Sequence, residues 1–426
     1  PSPEPSPPQD KDKDKGEGVQ DEEALEYNIM DIDFDRLVKE EKNKDILEMH
    51  KYFSSLSPTE KNEYTGRFKD YNLILITAEA FSHLAVDKNL TPTLYKMVHE
   101  GFHFKNFYTP IWGVSTSDGE YVANTSLLPK SGVWSFRESS KIYMPFVMGN
   151  QLKKLGYTTK AYHNHTYTFY DRHLSHPNMG YDYQGLGNGL EVKETWPESD
   201  LEMMELTIDK YINDQPFHIN YMTVSGHMLY TFNGNYIANK NRNLVKDLDY
   251  SSNARAYLAT QIELDKALEY LLKKLEDAGL ADKTLIALSA DHYPYGLEVS
   301  EMEELAGKSI EENFELYRNA FILYSPDMEP EVIDKPVSSL LGLEYDSRLL
   351  MGVDVFSDVD PIIIFENRSF ISKEGSYNSK TQKFTPNPGF DKDEELRKKI
   401  SSIINGKFYY SARILETDYY SKILNQ

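Results

Sequence analysis

The feature that most constrains this chain is an alternation: strand-length apolar runs and helix-patterned segments follow one another through its middle. "NLILIT" (72–77) is a continuous apolar run. "TPTLYKMVHEG" (91–101) follows it, with Thr91 placed to cap a helix, Pro92 in its first turn and Gly101 to stop it. "FVMGNQLKKLGY" (146–157) reads as a helix before the strand "TTKAYH" (158–163). "DLEMMELTIDKYIN" (200–213) stands in the same relation to "FHINYMTV" (217–224), and "ARAYLATQIELDKALEYLLKKLEDAGL" (254–280) to "DKTLIALS". Uninterrupted apolar strands need cover on both faces. The expected fold is therefore α/β, a mostly parallel central sheet with helices on both faces.

Other segments differ in texture. "PSPEPSPPQDKDKDKGEG" predicts a disordered linker over 1–20, and a chain opening inside a linker suggests an upstream membrane anchor missing from this sequence. Residues 21–70 are charged and helix-prone, a helical lead-in. The main domain is expected over 71–359. From 360 to 426, "PIIIFENRSFIS" and "GSYNSKTQKFTPN" read as a small C-terminal antiparallel sheet, followed by a polar helix (391–404) and an aromatic-rich tail.

A net charge of −22 argues against nucleic acid as partner, yet leaves room for a small phosphorylated ligand held by local cations or a metal. The absence of cysteine removes disulfides, thiolate chemistry and Cys-ligated zinc.

In open α/β sheets ligands bind beyond the carboxyl ends of the strands. Glu79 stands two residues past the first apolar run, and His163 and Arg172 lie in "HNHTYTFYDRH". His227 ends "SGH", and Asp291 and His292 follow "LIALSA" directly. Singly, each has an ordinary structural reading. Together they bring acids and imidazoles to one sheet edge. Glu79, Asp291 and His292 form a donor set suited to manganese, magnesium or zinc. Such a metal calls for a nucleophile, and "GVSTSDGEYVAN" (113–124) offers the hydroxyls of Ser115, Thr116 and Ser117 near a helix start. A threonine there is also an ordinary cap, and the residues alone do not choose among the three.

The ordered set "LITAEAF", "TSDGEYVAN", "YHNHTYTFYDR", "TVSGHMLYTF" and "ADHYPYGL", spanning roughly residues 72–370, resembles the extracellular domain of lipoteichoic acid synthases, within the alkaline phosphatase and sulfatase superfamily. The resemblance implies Thr116 as nucleophile and one divalent metal, manganese first, held by Glu79, Thr116, Asp291 and His292. It implies that His163, Arg172 and His227 grip the transferred glycerol phosphate, with Tyr170 where the family has an indole. It also implies a Gram-positive, membrane-anchored phosphotransferase on the outer face of the plasma membrane. The donor would be a phosphatidylglycerol-like lipid headgroup and the acceptor polyglycerol phosphate or a glycolipid. Either His227 or His163 would move protons. Two departures stand out: His165, where the family has an acidic or small polar residue, and a short segment at 334–346. Rival readings are a hydrolase or phosphoethanolamine transferase of the same fold, and an inactive wall-polymer binding module. A sulfatase would need a Cys or Ser nucleophile in a Cys/Ser-x-Pro-x-Arg string, whereas Ser117-Asp118-Gly119 follow Thr116.

Overall fold

The computed structural model describes residues 25–424 apart from 105, 327, 334–340, 354–355 and 358. The 1–20 linker and most of the short 334–346 segment therefore lie outside the described residues.

In chain order the first strands are β1 (Asn72–Ala78), β2 (Phe102–Phe104), β3 (Phe107–Tyr108), β4 (Thr158–Thr166), β5 (Asp182–Leu186) and β6 (Gly189–Leu190). They are followed by β7 (Phe217–Met222), β8 (Thr284–Ala290), β9 (Arg318–Asn319), β10 (Ile322–Tyr324) and β11 (Glu331–Ile333). Nine of them form one sheet in the order β11-β2-β10-β8-β1-β7-β4-β5-β6. Only β10 runs antiparallel to its neighbours, so the sheet is mixed but mostly parallel, as the alternation predicts.

β1 sits at the centre, parallel to β7 on one side and β8 on the other. Its alternate side chains enter different cores. Ile74 and Ile76 pack with Leu94 and Met97 of the Pro92–Glu100 helix and with Leu264 and Leu268 of the Ser252–Asp277 helix. Leu73 packs on the other face with Leu285 and with Leu152 of the Met148–Lys154 helix. Burial on both sides explains why the strand sequence shows no polar alternation.

A separate four-stranded antiparallel sheet follows, with β12 (Ile363–Ile364), β13 (Phe370–Ile371), β14 (Gly375–Asn378) and β15 (Lys383–Pro386). The C-terminal helix is longer than the expected 391–404: it runs Glu394–Thr417 and buries Ile400, Ile404, Phe408, Ile414 and Leu415. Ile400, Ile404, Phe408 and Ile414 share one core with Phe34, Ile46 and Phe53 of the lead-in helices, and Tyr410 stacks on Tyr52 with ring centroids 3.6 Å apart.

Candidate active site

Four adjacent strands, β8, β1, β7 and β4, release their chains at one edge, and the residues expected there converge. Ala78 and Ala290 are register partners, which places Glu79 and Asp291 side by side. Asp291 Oδ1 accepts from the backbone N–H groups of Ala80 (2.9 Å) and His292 (2.8 Å), fixing the carboxylate. Its Oδ2 has no hydrogen-bond partner although it is buried. These residues are not at a solvent-facing edge, as a strand end suggests. Glu79, Asp291 and His292 are all below 5% exposed.

The His292 Nδ1–H donates to the Tyr293 carbonyl (2.9 Å), which leaves Nε2 turned inward as a lone-pair donor. Nε2 lies 3.3 Å from Asp291 Oδ2 and 3.4 Å from Glu79 Oε1. Burial, and then the neighbouring Asp291 charge, push the Glu79 carboxyl well above its ordinary range. Two enclosed carboxylates, one with an orphaned oxygen, and an imidazole present ligand atoms all within 4.8 Å of one another. This donor set fits a divalent cation.

Thr116 completes the cluster. The Ser115–Thr125 helix begins on Ser115 in the left-handed region (φ 39°), a strained entry typical of functional turns. The Thr116 hydroxyl is not a helix cap, since no side chain caps from the N-cap position and Asp118 Oδ2 instead accepts from Val114 N–H (2.8 Å). It points to Glu79 Oε2 (3.4 Å) and His292 Nε2 (3.2 Å). Of the three adjacent hydroxyls only this one reaches the cluster: Ser115 donates to Tyr295 (3.1 Å), and the Ser117 hydroxyl is buried without a partner. Gly119 makes the approach possible, because a Cβ there would lie 2.0 Å from the Asp291 carbonyl oxygen. Gly226 does the same beside His227, where a Cβ would meet the Glu79 carbonyl oxygen at 2.1 Å.

Arg172 is also presented from left-handed backbone, at Tyr170 and Asp171 (φ 52° and 55°). It is fully buried. Its Nε donates to Glu120 Oε2 (2.8 Å) and its Nη1 to His163 Nε2 (3.3 Å), while Nη2 has no partner. The guanidinium lies 5.4 Å from the Tyr170 ring centroid, and Trp134 packs edge-on to Tyr170 at 5.8 Å, so an indole does border this corner. The His163 Nδ1–H donates to the Met222 carbonyl (3.0 Å). Burial, then the Arg172 cation, hold His163 well below the usual imidazole range, as a neutral ring with both nitrogens engaged. The His227 Nδ1–H donates to the Met228 carbonyl (2.7 Å), leaving Nε2 unengaged and unenclosed.

Sequence reasoning missed two parts. Glu120 reads as a helix-compatible acid, yet it is the buried counter-ion of Arg172, with His176 Nε2 also 3.1 Å from its Oε1. The Thr116–Glu120 spacing of one helical turn is the only signal that could have found it. The C-terminal region, for which the sequence suggested only a small sheet, a polar helix and a tail, supplies Glu366 and Phe408 to a cavity of about 220 Å³ that also touches Gly113, Val114 and Asp118.

Known proteins echo this arrangement. The Sulfatase family profile matches residues 71–343. A lipoteichoic acid synthase-like protein of Bacillus subtilis is 27% identical over 74% of this chain and 55% of its own length. The lipoteichoic acid synthase of Staphylococcus saprophyticus is 27% identical over 84% of this chain and 60% of its own. The chain thus spans little more than half the length of these curated relatives. The crystal structure of lipoteichoic acid synthase LtaP from Listeria monocytogenes superposes with a TM-score of 0.71 at 21% identity, covering 86% of this chain and 97% of that one. That likeness speaks for the fold. With the profile covering well over half of the chain, this protein belongs to the sulfatase family.

Proposed function

We propose that the chain is the catalytic part of a phosphotransferase that moves glycerol phosphate from a phosphatidylglycerol-like lipid to a polyglycerol phosphate or glycolipid acceptor. The observation that carries this reading is the convergence of the Thr116 hydroxyl with Glu79, Asp291 and His292, next to a buried guanidinium with an unused N–H group. The names and partial coverage of the relatives support the same reaction class. They also suit a membrane-anchored setting on the outer face of a Gram-positive cell. No helix among the described residues is long and apolar enough to cross a membrane.

Glu79, Asp291, His292 and Thr116 would hold one divalent cation, manganese first, with magnesium or zinc as alternatives. When bound, it supplies Lewis-acid charge beside the Thr116 hydroxyl and the substrate phosphate.

Thr116 Oγ1 attacks the phosphorus, and the bond to the diacylglycerol oxygen breaks. Arg172 offers its free Nη2 N–H to a non-bridging oxygen, and its Glu120 and His163 contacts fix the direction of that donor. As Thr116 gives up its hydroxyl proton, His227, with Nε2 open, takes up a proton there and hands it to the leaving diacylglycerol oxygen, so the step is neutral overall; His163 has no nitrogen to spare. A second attack by the acceptor hydroxyl then frees Thr116.

The test is direct. Brief incubation with fluorescent phosphatidylglycerol should place glycerol phosphate on the Thr116 peptide, read by mass spectrometry. Thr116→Ala should lose turnover, whereas Ser115→Ala and Ser117→Ala should retain it. An ester on either serine, or an active Thr116→Ala protein, refutes the mechanism. Free glycerol phosphate as the sole product would make the protein a phosphodiesterase.

A further inference from the structure

We propose that His165, backed by Glu198, is the acid–base group of the second half of this reaction. Its Nε2 takes the proton of the acceptor hydroxyl as that oxygen attacks the phosphorus esterified to Thr116. The proposal rests on the transferase reading above and goes beyond it by assigning the acceptor side.

His165 follows His163 by two residues on β4, where the register with β5 shifts, and the two rings lie with centroids 6.2 Å apart. Its Nδ1 lies 2.8 Å from Glu198 Oε1, and the Glu198 side chain is only 3% exposed against 21% for His165. An enclosed carboxylate accepts the Nδ1–H and fixes the tautomer with its lone pair on Nε2. Nε2 makes no hydrogen bond among the described residues and is not enclosed, so its lone pair is open to an incoming group. Phe169 (4.9 Å) and Trp196 (5.3 Å) hold the ring edge-on, which removes the rotation a surface histidine would have.

Trp196 also packs against His227 at 4.6 Å. Two imidazoles with open Nε2 atoms therefore share contact with one indole. A transfer through an enzyme ester needs two proton movements, one to the departing lipid alcohol and one from the arriving acceptor. His227 and His165 match that pair. The titratable and charged groups around His165 are Glu198 from the turn before the Asp200–Thr207 helix, His163 on its own strand with Arg172 behind it, and His227 beyond Trp196.

The step balances. The bond between acceptor oxygen and phosphorus forms as the Thr116 Oγ1–phosphorus bond breaks. The acceptor's proton passes to His165 Nε2 and from there to the Thr116 oxygen, so the imidazole returns to neutral.

The experiment follows the two halves separately, with fluorescent phosphatidylglycerol vesicles as donor and a short glycerol phosphate oligomer as acceptor. Intact-protein mass reads the ester on Thr116, and oligomer extension reads the second half. His165→Gln is expected to carry the ester but extend the acceptor about 100-fold more slowly, the contribution of a positioned general base. That loss should fall on kcat rather than on KM for the acceptor. Glu198→Gln should give a smaller loss, again in kcat rather than KM, and it carries the test alone should His165→Gln not fold. Extension at the wild-type rate, or ester formation and extension falling together by the same factor, overturns the proposal. A wild-type chain that never forms the Thr116 ester overturns the transferase reading first, and this assignment with it.

Discussion

At Arg172 a cation without solvent contact depends on Glu120, itself fully buried, for its balance of charge. Burial alone would raise the Glu120 carboxyl, but Arg172 and then His176 outweigh it and hold the group below its ordinary value. Glu120→Gln keeps the shape and removes the charge, leaving the guanidinium uncompensated. It should cost about 3 kcal/mol in denaturant unfolding, the scale for breaking a buried pair, and lower turnover with it. A loss below ~1 kcal/mol would mean that Arg172 finds its balance elsewhere. Little of this pairing was legible in the sequence, because the partners lie 52 residues apart and only folding brings them together. The cluster of Glu79, Asp291 and His292 was legible, since strand ends in an α/β sheet share one edge. The choice among Ser115, Thr116 and Ser117 was not, because it depends on the left-handed entry at Ser115.

Elements meet more closely here than their patterns reveal. The Ser115–Thr125 helix rests its Gly119 backbone on the Asp291 carbonyl. Alanine is the better helix former by about 1 kcal/mol, yet its methyl would have to occupy the space of that carbonyl. Gly119→Ala should therefore lose activity by 100-fold or more and lower the melting temperature despite the propensity gain; a stabilised, active variant would refute the contact.

β7 carries a second element-scale test. His218 is buried between Tyr181, which donates to its Nε2 at 2.8 Å, and the Leu73 carbonyl, and burial lowers its pKa to about 4. The unfolded chain then binds the extra proton first. Stability should be complete above about pH 6.5 and fall by about 3 kcal/mol toward pH 4. Denaturant midpoints across that range should be flatter in His218→Gln; an unchanged slope would put the sensitivity elsewhere. Capping shows the limit of pattern reading in a different way. Thr91 stands where a cap belongs, but its hydroxyl donates to the Ala85 carbonyl, and Asp265 supplies the acceptor for Leu94 N–H (2.7 Å).

Across the whole molecule, the alternation of runs was enough to anticipate the mostly parallel sheet, since burial on both faces leaves its mark on the central strands β1, β7 and β8. The C-terminal helix was cut short because Gly406 reads as a stop, while Phe408 and Ile414 continue the buried stripe beyond it. That helix closes against the lead-in helices and reaches the cavity beside Gly113, so the two ends of the described chain support the turn that leads into Thr116. Metal linkage is a whole-molecule property too. Manganese at 100 times its dissociation constant should stabilise the protein by about 2.7 kcal/mol, a gain that chelator reverses and Asp291→Ala lacks. Equal shifts in both proteins would locate the ion somewhere else.

The Ser115–Thr125 helix carries Thr116, Gly119 and Glu120 within its first two turns. For anyone building hybrids between relatives, this makes the segment an indivisible cassette. Its hydroxyl, its bare backbone and its carboxylate each answer to a different part of the molecule. A chimera that inherits the helix without its matching strand turn and arginine loop would carry a collision, an idle hydroxyl or a stranded charge, and exchange across this seam should succeed only when all three travel together.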